Sequence, residues 1–322
     1  MSVGGAVRVP RADPAGRADR SAAARRAGRA GPTFALVAAC IAAPWGYRGH
    51  EMAARAAVAT LPSEMPDFFR EAGPRLEYLS PEPDRWRSGT RSAMDEAWSY
   101  DHYIDFERVP DAALRAGDRW AYLSELYRAG LPRPERDAGF LPWRILELYE
   151  RLVSEWRRWH RAPAGSDERR WIESRILDDA GILGHYVTDG AQPHHTTIHF
   201  NGWDRDTANP EGFTTDRDFH ARFESGFVTA HVRPRDLARR VPARPRSIAG
   251  SAREEIFAFL LDSFAAVPEL YTIERDVGFR PGAPADRRAG DFAADRLAAG
   301  SEMLAVVWWS AWLEGSVPRG GR

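Results

Sequence analysis

Lysine is absent from this chain, and all 45 of its basic residues are arginine. That bias fits the codon usage of a GC-rich genome and names no partner. Cysteine is nearly absent too. The single thiol, Cys40, lies in an apolar run near the N-terminus. A body that starts beyond it relies on no disulfide and holds neither a cysteine-based metal site nor a thiol nucleophile. Strand-like alternation of apolar and polar residues is scarce, and no repeat recurs at solenoid periods. Long apolar runs are missing as well. Thr33 to Ala43 and Met303 to Trp312 both fall short of the roughly 20 residues that span a bilayer, so the second run, with Trp308, Trp309 and Trp312, reads as a core helix.

What is present is enough apolar surface for one substantial core: 322 residues, 43% hydrophobic and 11% aromatic, with 12 tryptophans. The net charge of -1 conceals an asymmetry, because residues 1–30 carry seven arginines against two aspartates and leave the remainder about six charges negative. That basic tail followed by Thr33–Ala43 has the layout of a secretory signal peptide. The other reading is a disordered tail, or a misplaced start, ahead of a buried helix. Leu36-Val37-Ala38-Ala39-Cys40 is similar to a bacterial lipoprotein signal, in which Cys40 would carry the lipid. The expectation is an exported protein, secreted or periplasmic, with residues 1–44 as tail and signal-like segment and 45–322 as one domain.

Helical spacing of apolar residues recurs over 50–60, 118–129, 143–160, 170–189, 216–230, 251–266 and 290–314, with Pro- and Gly-rich breaks at 130–142 and 278–287. The fold class is therefore all-α, a single multi-helix domain. The Arg- and Pro-rich segment 232–248 reads as a solvated excursion, with a nucleic-acid patch as the other reading.

The chemistry concentrates between Leu183 and His199. His185 and Asp189 stand four apart on one helical face, and His195 follows just past Gln192-Pro193, which ends the helix. His220 and Glu224 repeat the i, i+4 spacing, which brings an imidazole and a carboxylate within reach of one ion. One such pair alone is an ordinary surface pair. His194 and His199, beside the ligand candidates, read as supporting or solvated residues, and His160 and His231 as surface residues.

Upstream stand Trp45-Gly46-Tyr47-Arg48-Gly49-His50, Pro83-Asp84-Arg85-Trp86 and Asp101-His102-Tyr103-Ile104-Asp105. With these the chain resembles the superfamily that joins zinc-dependent phospholipases C with single-strand-specific 3'-nucleotidase nucleases. The ordered series Trp45, His50, Asp84, His102, His185, Asp189, His195, His220 and Glu224 carries the resemblance. It implies an all-helical fold with a cluster of up to three zinc ions in a cleft between helices. Asp84, His102, His185 and Asp189 would hold one ion, and His195, His220 and Glu224 a second. Asp189 would bridge to a third, shared with His50 and with the amino group and carbonyl of Trp45 as first residue. Paired zinc ions lower the pKa of water and so supply a hydroxide that attacks phosphorus, while Asp84 orients or deprotonates the attacking water. The third site requires a free amine at Trp45. The preceding residues are Ala42-Ala43-Pro44, and signal peptidases rarely leave Pro on either side of the cut, so a free Trp45 would take a second step, such as cleavage after Ala42 followed by removal of the dipeptide Ala43-Pro44.

The residues flanking the ligands divide over substrate. In choline-preferring members an acidic and two aromatic residues stand where this chain has Arg48, Arg85 and Ser99, so a quaternary ammonium meets cations and no cage. In the nucleases an aromatic stacks on a base and an acid two residues on hydrogen-bonds it, and Tyr103 and Asp105 match that pattern. Arg48 or Arg87 could take a neighbouring phosphate. Gly139-Phe140-Leu141-Pro142-Trp143 and Glu224 are instead similar to the phospholipase branch. The expectation leans to a nuclease or 3'-nucleotidase acting on single-stranded nucleic acid or nucleotides. A phospholipase C for non-choline lipids stands as the alternative, and a structural-zinc binding domain as the non-enzyme reading.

Overall fold

The computed structural model describes residues 46–87 and 93–317. Trp45, Cys40 and the signal-like segment lie outside the described residues. Seven helices of ten residues or more make the frame: α1 (Gly46–Val58), α2 (Arg119–Arg128), α3 (Leu141–Arg161), α4 (Asp167–Gly190), α5 (Ala252–Ala265), α6 (Val267–Asp276) and α7 (Arg287–Ser316). Among the described residues there is no strand, so the chain is all-α.

Local chemistry explains where the long helices begin and which face they bury. In α3, Pro142 occupies the first turn, where a missing N–H costs nothing, and Leu141, Ile145, Leu148, Leu152 and Trp156 recur at helical spacing and are buried. Arg158, His160 and Arg161 close its last turn, where cations suit the helix dipole. The Ser166 side chain caps α4 by accepting from the Arg169 N–H, and that of Asp286 caps α7 by accepting from Arg288. From Leu183 to Gly190 every residue of α4 is buried. A helix covered on all sides is the centre of the fold, and α4 packs on both α3 and α7. The run Met303–Trp309 is buried within α7, and Trp308 donates its indole N–H to the Ala180 carbonyl of α4 at 3.2 Å.

One expectation needs correction. Segment 216–230 is not one regular helix, because a π-helical turn, Arg222–Phe227, separates the short helices Phe219–Ala221 and Val228–His231. Phe219, Phe223 and Phe227, spaced by four, are all fully buried, and the wider π turn keeps the three rings on one face. The excursion 232–248 is largely exposed, as a solvated segment is, and contains the short helix Pro234–Ala238, while three of its arginines pair with acids outside it. Arg240 pairs with Asp291 and Asp295, Arg244 with Glu64, and Arg246 with Glu255. The break at 130–142 likewise holds a short helix, Pro134–Ala138.

Small residues set how closely the centre packs. A Cβ at Gly181 would lie 2.4 Å from Leu79 Cβ, and one at Gly184 would meet Ser80 Oγ at 3.2 Å and Leu304 Cδ2 at 3.4 Å. The absence of side chains at 181 and 184 lets α4 touch the backbone at Ser80. Gly181→Val therefore overpacks this contact and lowers stability by about 1–3 kcal/mol, or roughly 2–4 °C of Tm for each kcal/mol. Thermal and urea unfolding of the variant measure this directly, and a wild-type midpoint would show that the helix stands further off.

Candidate metal centre

The close approach of α4 to Ser80 orients the first histidine. His185 Nδ1 donates to the Ser80 carbonyl at 3.0 Å, which leaves the lone pair on Nε2 facing inward. One turn on, Asp189 has no solvent exposure. Its carboxylate gathers imidazoles from separate parts of the chain: His102 Nδ1 at 3.1 Å, His185 Nε2 at 3.2 Å, His50 Nε2 at 3.4 Å and His195 Nε2 at 4.0 Å. His50 comes from α1 and His102 from a tight 3₁₀ turn, Ser99–His102. His195 lies in a second such turn, Pro193–Thr196, and its Nδ1 donates to the His102 carbonyl at 2.6 Å, so one hydrogen bond orients His195 and ties the two turns together.

Three groups of ligand atoms result. Asp84, from the short helix Glu82–Arg85, brings Oδ1 to 3.8 Å from His185 Nε2, which is itself 3.0 Å from His102 Nδ1. Asp189 Oδ2 stands beside that set, 3.1 Å from His102 Nδ1 and 3.2 Å from His185 Nε2. His195, His220 and Glu224 form the second, with His220 Nε2 at 2.7 Å and His195 Nε2 at 3.7 Å from Glu224 Oε2. The third brings His50 to Asp189 Oδ1. His185 also lies within range of His50, and the two rings stack at 4.2 Å. Its Nδ1 proton is committed to Ser80, so its one inward lone pair serves the first group. Ligand atoms around a tetrahedral ion with bonds of about 2.0–2.1 Å stand about 3.3 Å apart, and the separations of 3.0–3.4 Å among His50, His102, His185 and Asp189 lie near that value.

The polar atoms support the same reading. Asp84 Oδ1 and Oδ2, Asp189 Oδ1, His195 Nε2 and His220 Nε2 are buried and have no hydrogen-bond partner in the protein. His220 Nε2 lies 2.7 Å from Glu224 Oε2. Buried acceptors left without donors are costly, and a cation removes that cost. These buried His, Asp and Glu groups could therefore hold metal ions. Electrostatics agree. Burial pushes the Asp84 carboxyl up to about 7, with the Asp189 carboxylate adding to the effect and His185 opposing it. For His195, burial favours the neutral ring but is outweighed by Asp189 and Glu224, which hold the imidazole up to about 9.

The residues behind these ligands were not legible as partners. Gln192, fully buried, donates to Glu224 Oε2 at 3.3 Å and accepts from the His194 N–H at 2.9 Å. Asp101, next to His102 and fully buried, receives Arg119 at 2.7 Å and also Arg144, which fastens the 3₁₀ turn to α2 and α3. Glu274 takes Arg222 at 3.0 Å and Arg280 at 2.8 Å, anchoring the π turn that carries Glu224. Acidic and arginine residues this common carry no spacing that marks these pairs in advance.

The ligands open onto a cleft of about 630 Å³ lined by His102, His195, His220 and Glu224. Tyr103 and Asp105 also line it, as does Arg87. The Tyr103 hydroxyl donates to the Arg136 carbonyl at 2.6 Å, which fixes the ring. Burial, helped by the Glu107 carboxylate, pushes the Asp105 carboxyl up to about 8. Arg48 is exposed at the start of α1 and does not line the cleft. His194 is buried against Phe219 and His220, and His199 stacks on Trp203 at 3.7 Å. His160 is exposed and His231 is held by the Arg280 carbonyl at 3.0 Å, so neither joins the ligands. No protein-family model matches the chain, and no curated protein matches it in sequence.

A cation must displace protons from His195, which holds one up to about 9, and from Asp84, which holds one up to about 7. Metal affinity is therefore expected to rise with pH through this window and to fall on acidification. Competition against a chelator at pH about 6, 7.5 and 9 checks the slope; a flat profile would mean that these groups do not bind the ion. Asp189→Asn should lose more metal than any other single ligand change, because its two oxygens face different groups.

Proposed function

We propose that this chain is a zinc-dependent phosphoesterase, with a lean to single-strand nuclease or 3'-nucleotidase activity. The observation that carries the reading is the convergence of three groups of buried His, Asp and Glu side chains, two of them sharing His185, beside an open cleft that His102, His195, His220 and Glu224 line. Neutral imidazoles with carboxylates and no thiolate suit zinc. Structural zinc sites are closed and four-coordinate, whereas these ligands border a cleft of about 630 Å³, which favours catalysis over a purely structural role. The resemblance in the ordered ligand series supports the same class.

Bound divalent cations would supply the positive charge that activates water and neutralises a leaving oxygen. The chain's own residues provide the rest. Asp84, buried and with both oxygens free of hydrogen bonds, suits accepting a proton from an attacking water and orienting it. The fixed ring of Tyr103 offers a stacking face for a base. Asp105, whose carboxyl is pushed up to about 8, stays protonated near neutrality and can both donate to and accept from a base edge. Gly139-Phe140-Leu141-Pro142-Trp143, similar to the phospholipase branch, has Phe140, Leu141 and Trp143 buried as core where α3 begins, so it bears little on substrate choice.

Three experiments test the reading. Protein dialysed without added metal should retain two to three zinc per chain by elemental analysis, and a folded sample with none would overturn it. Side-by-side assays on single-stranded DNA, 3'-AMP, and anionic and zwitterionic phospholipids should show nucleic-acid turnover. Turnover of lipid alone would move the chain to the phospholipase C alternative. Asp84→Asn should lower kcat by about 10²–10⁴-fold while circular dichroism stays unchanged.

A further inference from the structure

The catalytic cleft does not end at the ligands. Phe200 and Asn201, which form part of its wall, also line an adjoining compartment of about 300 Å³. Phe200 is 44% exposed and stands on the divide between the two spaces, five residues past His195. The loop behind it is stiff. His199 lies flat on Trp203 with an interplanar angle of 10°, Tyr271 donates to the His199 carbonyl, and the Asp204 N–H donates to His199 Nδ1 at 2.9 Å. An exposed phenylalanine on a braced loop is a preformed platform rather than a mobile tip.

The second compartment is polar. Arg205 and Arg217 line it, together with Asp204 and Asp206. Nearby acids are already engaged, Asp216 by Arg222 at 2.8 Å and Glu211 by Arg275 at 3.0 Å. The guanidinium groups of Arg205 and Arg217 make no ion pair or hydrogen bond among the described residues. An acyl chain would strip water from four charged side chains without compensation. A nucleotide uses all of these features, with a ring for the aromatic face, edges for the carboxylates and a phosphate for the arginines.

We propose that this compartment is a subsite for the nucleotide next to the scissile ester of a single-stranded polymer, with Phe200 stacking on its base and Arg205 and Arg217 meeting its phosphate. The inference rests on the phosphoesterase reading and narrows it, because the enzyme then prefers a chain to a mononucleotide.

Phe200→Ala and the double variant Arg205→Ala/Arg217→Ala separate the possibilities, since all three side chains are exposed and none is a ligand. For a single-stranded DNA oligomer, kcat/KM is expected to fall about tenfold in each, mainly through KM, as for loss of one base–aromatic stack. Turnover of 3'-AMP should stay within about twofold of wild type, with zinc content unchanged. An equal loss on both substrates, or no loss on the oligomer, overturns the subsite while leaving the phosphoesterase reading standing. A wild-type protein that cleaves neither substrate overturns the reading itself, and the subsite with it.

Discussion

Asp189 is a carboxylate with no solvent contact, and four imidazoles from different segments approach within 4.0 Å of it. An ionised group in such a place is stable only when opposite charge or good donors surround it. His185 and His195 do this most, and they hold the Asp189 carboxyl well below the usual range against the opposing effect of burial. The four histidines come from α1, α4 and two tight turns, so satisfying this carboxylate fixes where all four pieces must lie. A metal ion would extend the same logic, replacing shared protons by a fixed positive charge.

Delivery of the second ligand pair follows a different principle. His220 and Glu224 each stand one residue after a fully buried phenylalanine, Phe219 or Phe223. Packing of the rings places the pair at the cleft, where His220 and Glu224 also meet at 2.7 Å. The ion pairs of Arg222 with Asp216 and Glu274 then hold the π turn from outside. Gln192 bridges the two halves, since it sits where α4 ends and reaches Glu224. Stability and ligand placement share residues here, and a change in the aromatic cluster would be felt at the site.

The cleft walls are built with more freedom than its floor. Tyr103 is fixed through a backbone carbonyl and by Gly139, where an added Cβ would fall 2.2 Å from the Tyr103 carbonyl oxygen, at a φ of +75° that already favours glycine. Phe200 and the arginines beyond it are exposed and bonded only through their loop. Wall residues can therefore change without disturbing the buried His, Asp and Glu groups beneath them.

The sequence by itself determined the fold class and the ligand candidates. Apolar spacing marked the long helices of the core, and the i, i+4 pairs His185/Asp189 and His220/Glu224 were visible because both members lie on one local element. Whether distant residues such as His50, Asp84 and His102 join them was decided only by tertiary structure, because no local rule relates α1 and two turns to α4. The π turn at 222–227 also escaped the sequence pattern, since a spacing of four fits an α-helix nearly as well, and only burial of all three phenylalanines selects the wider turn. Arg48, read from its place beside the ligand series, proved to be outside the cleft, while Phe200 proved to be on its rim. Spacing along the chain decides which side chains share a face; which faces meet depends on how closely α4 can approach its neighbours, and that was set by what the glycines at 181 and 184 leave out.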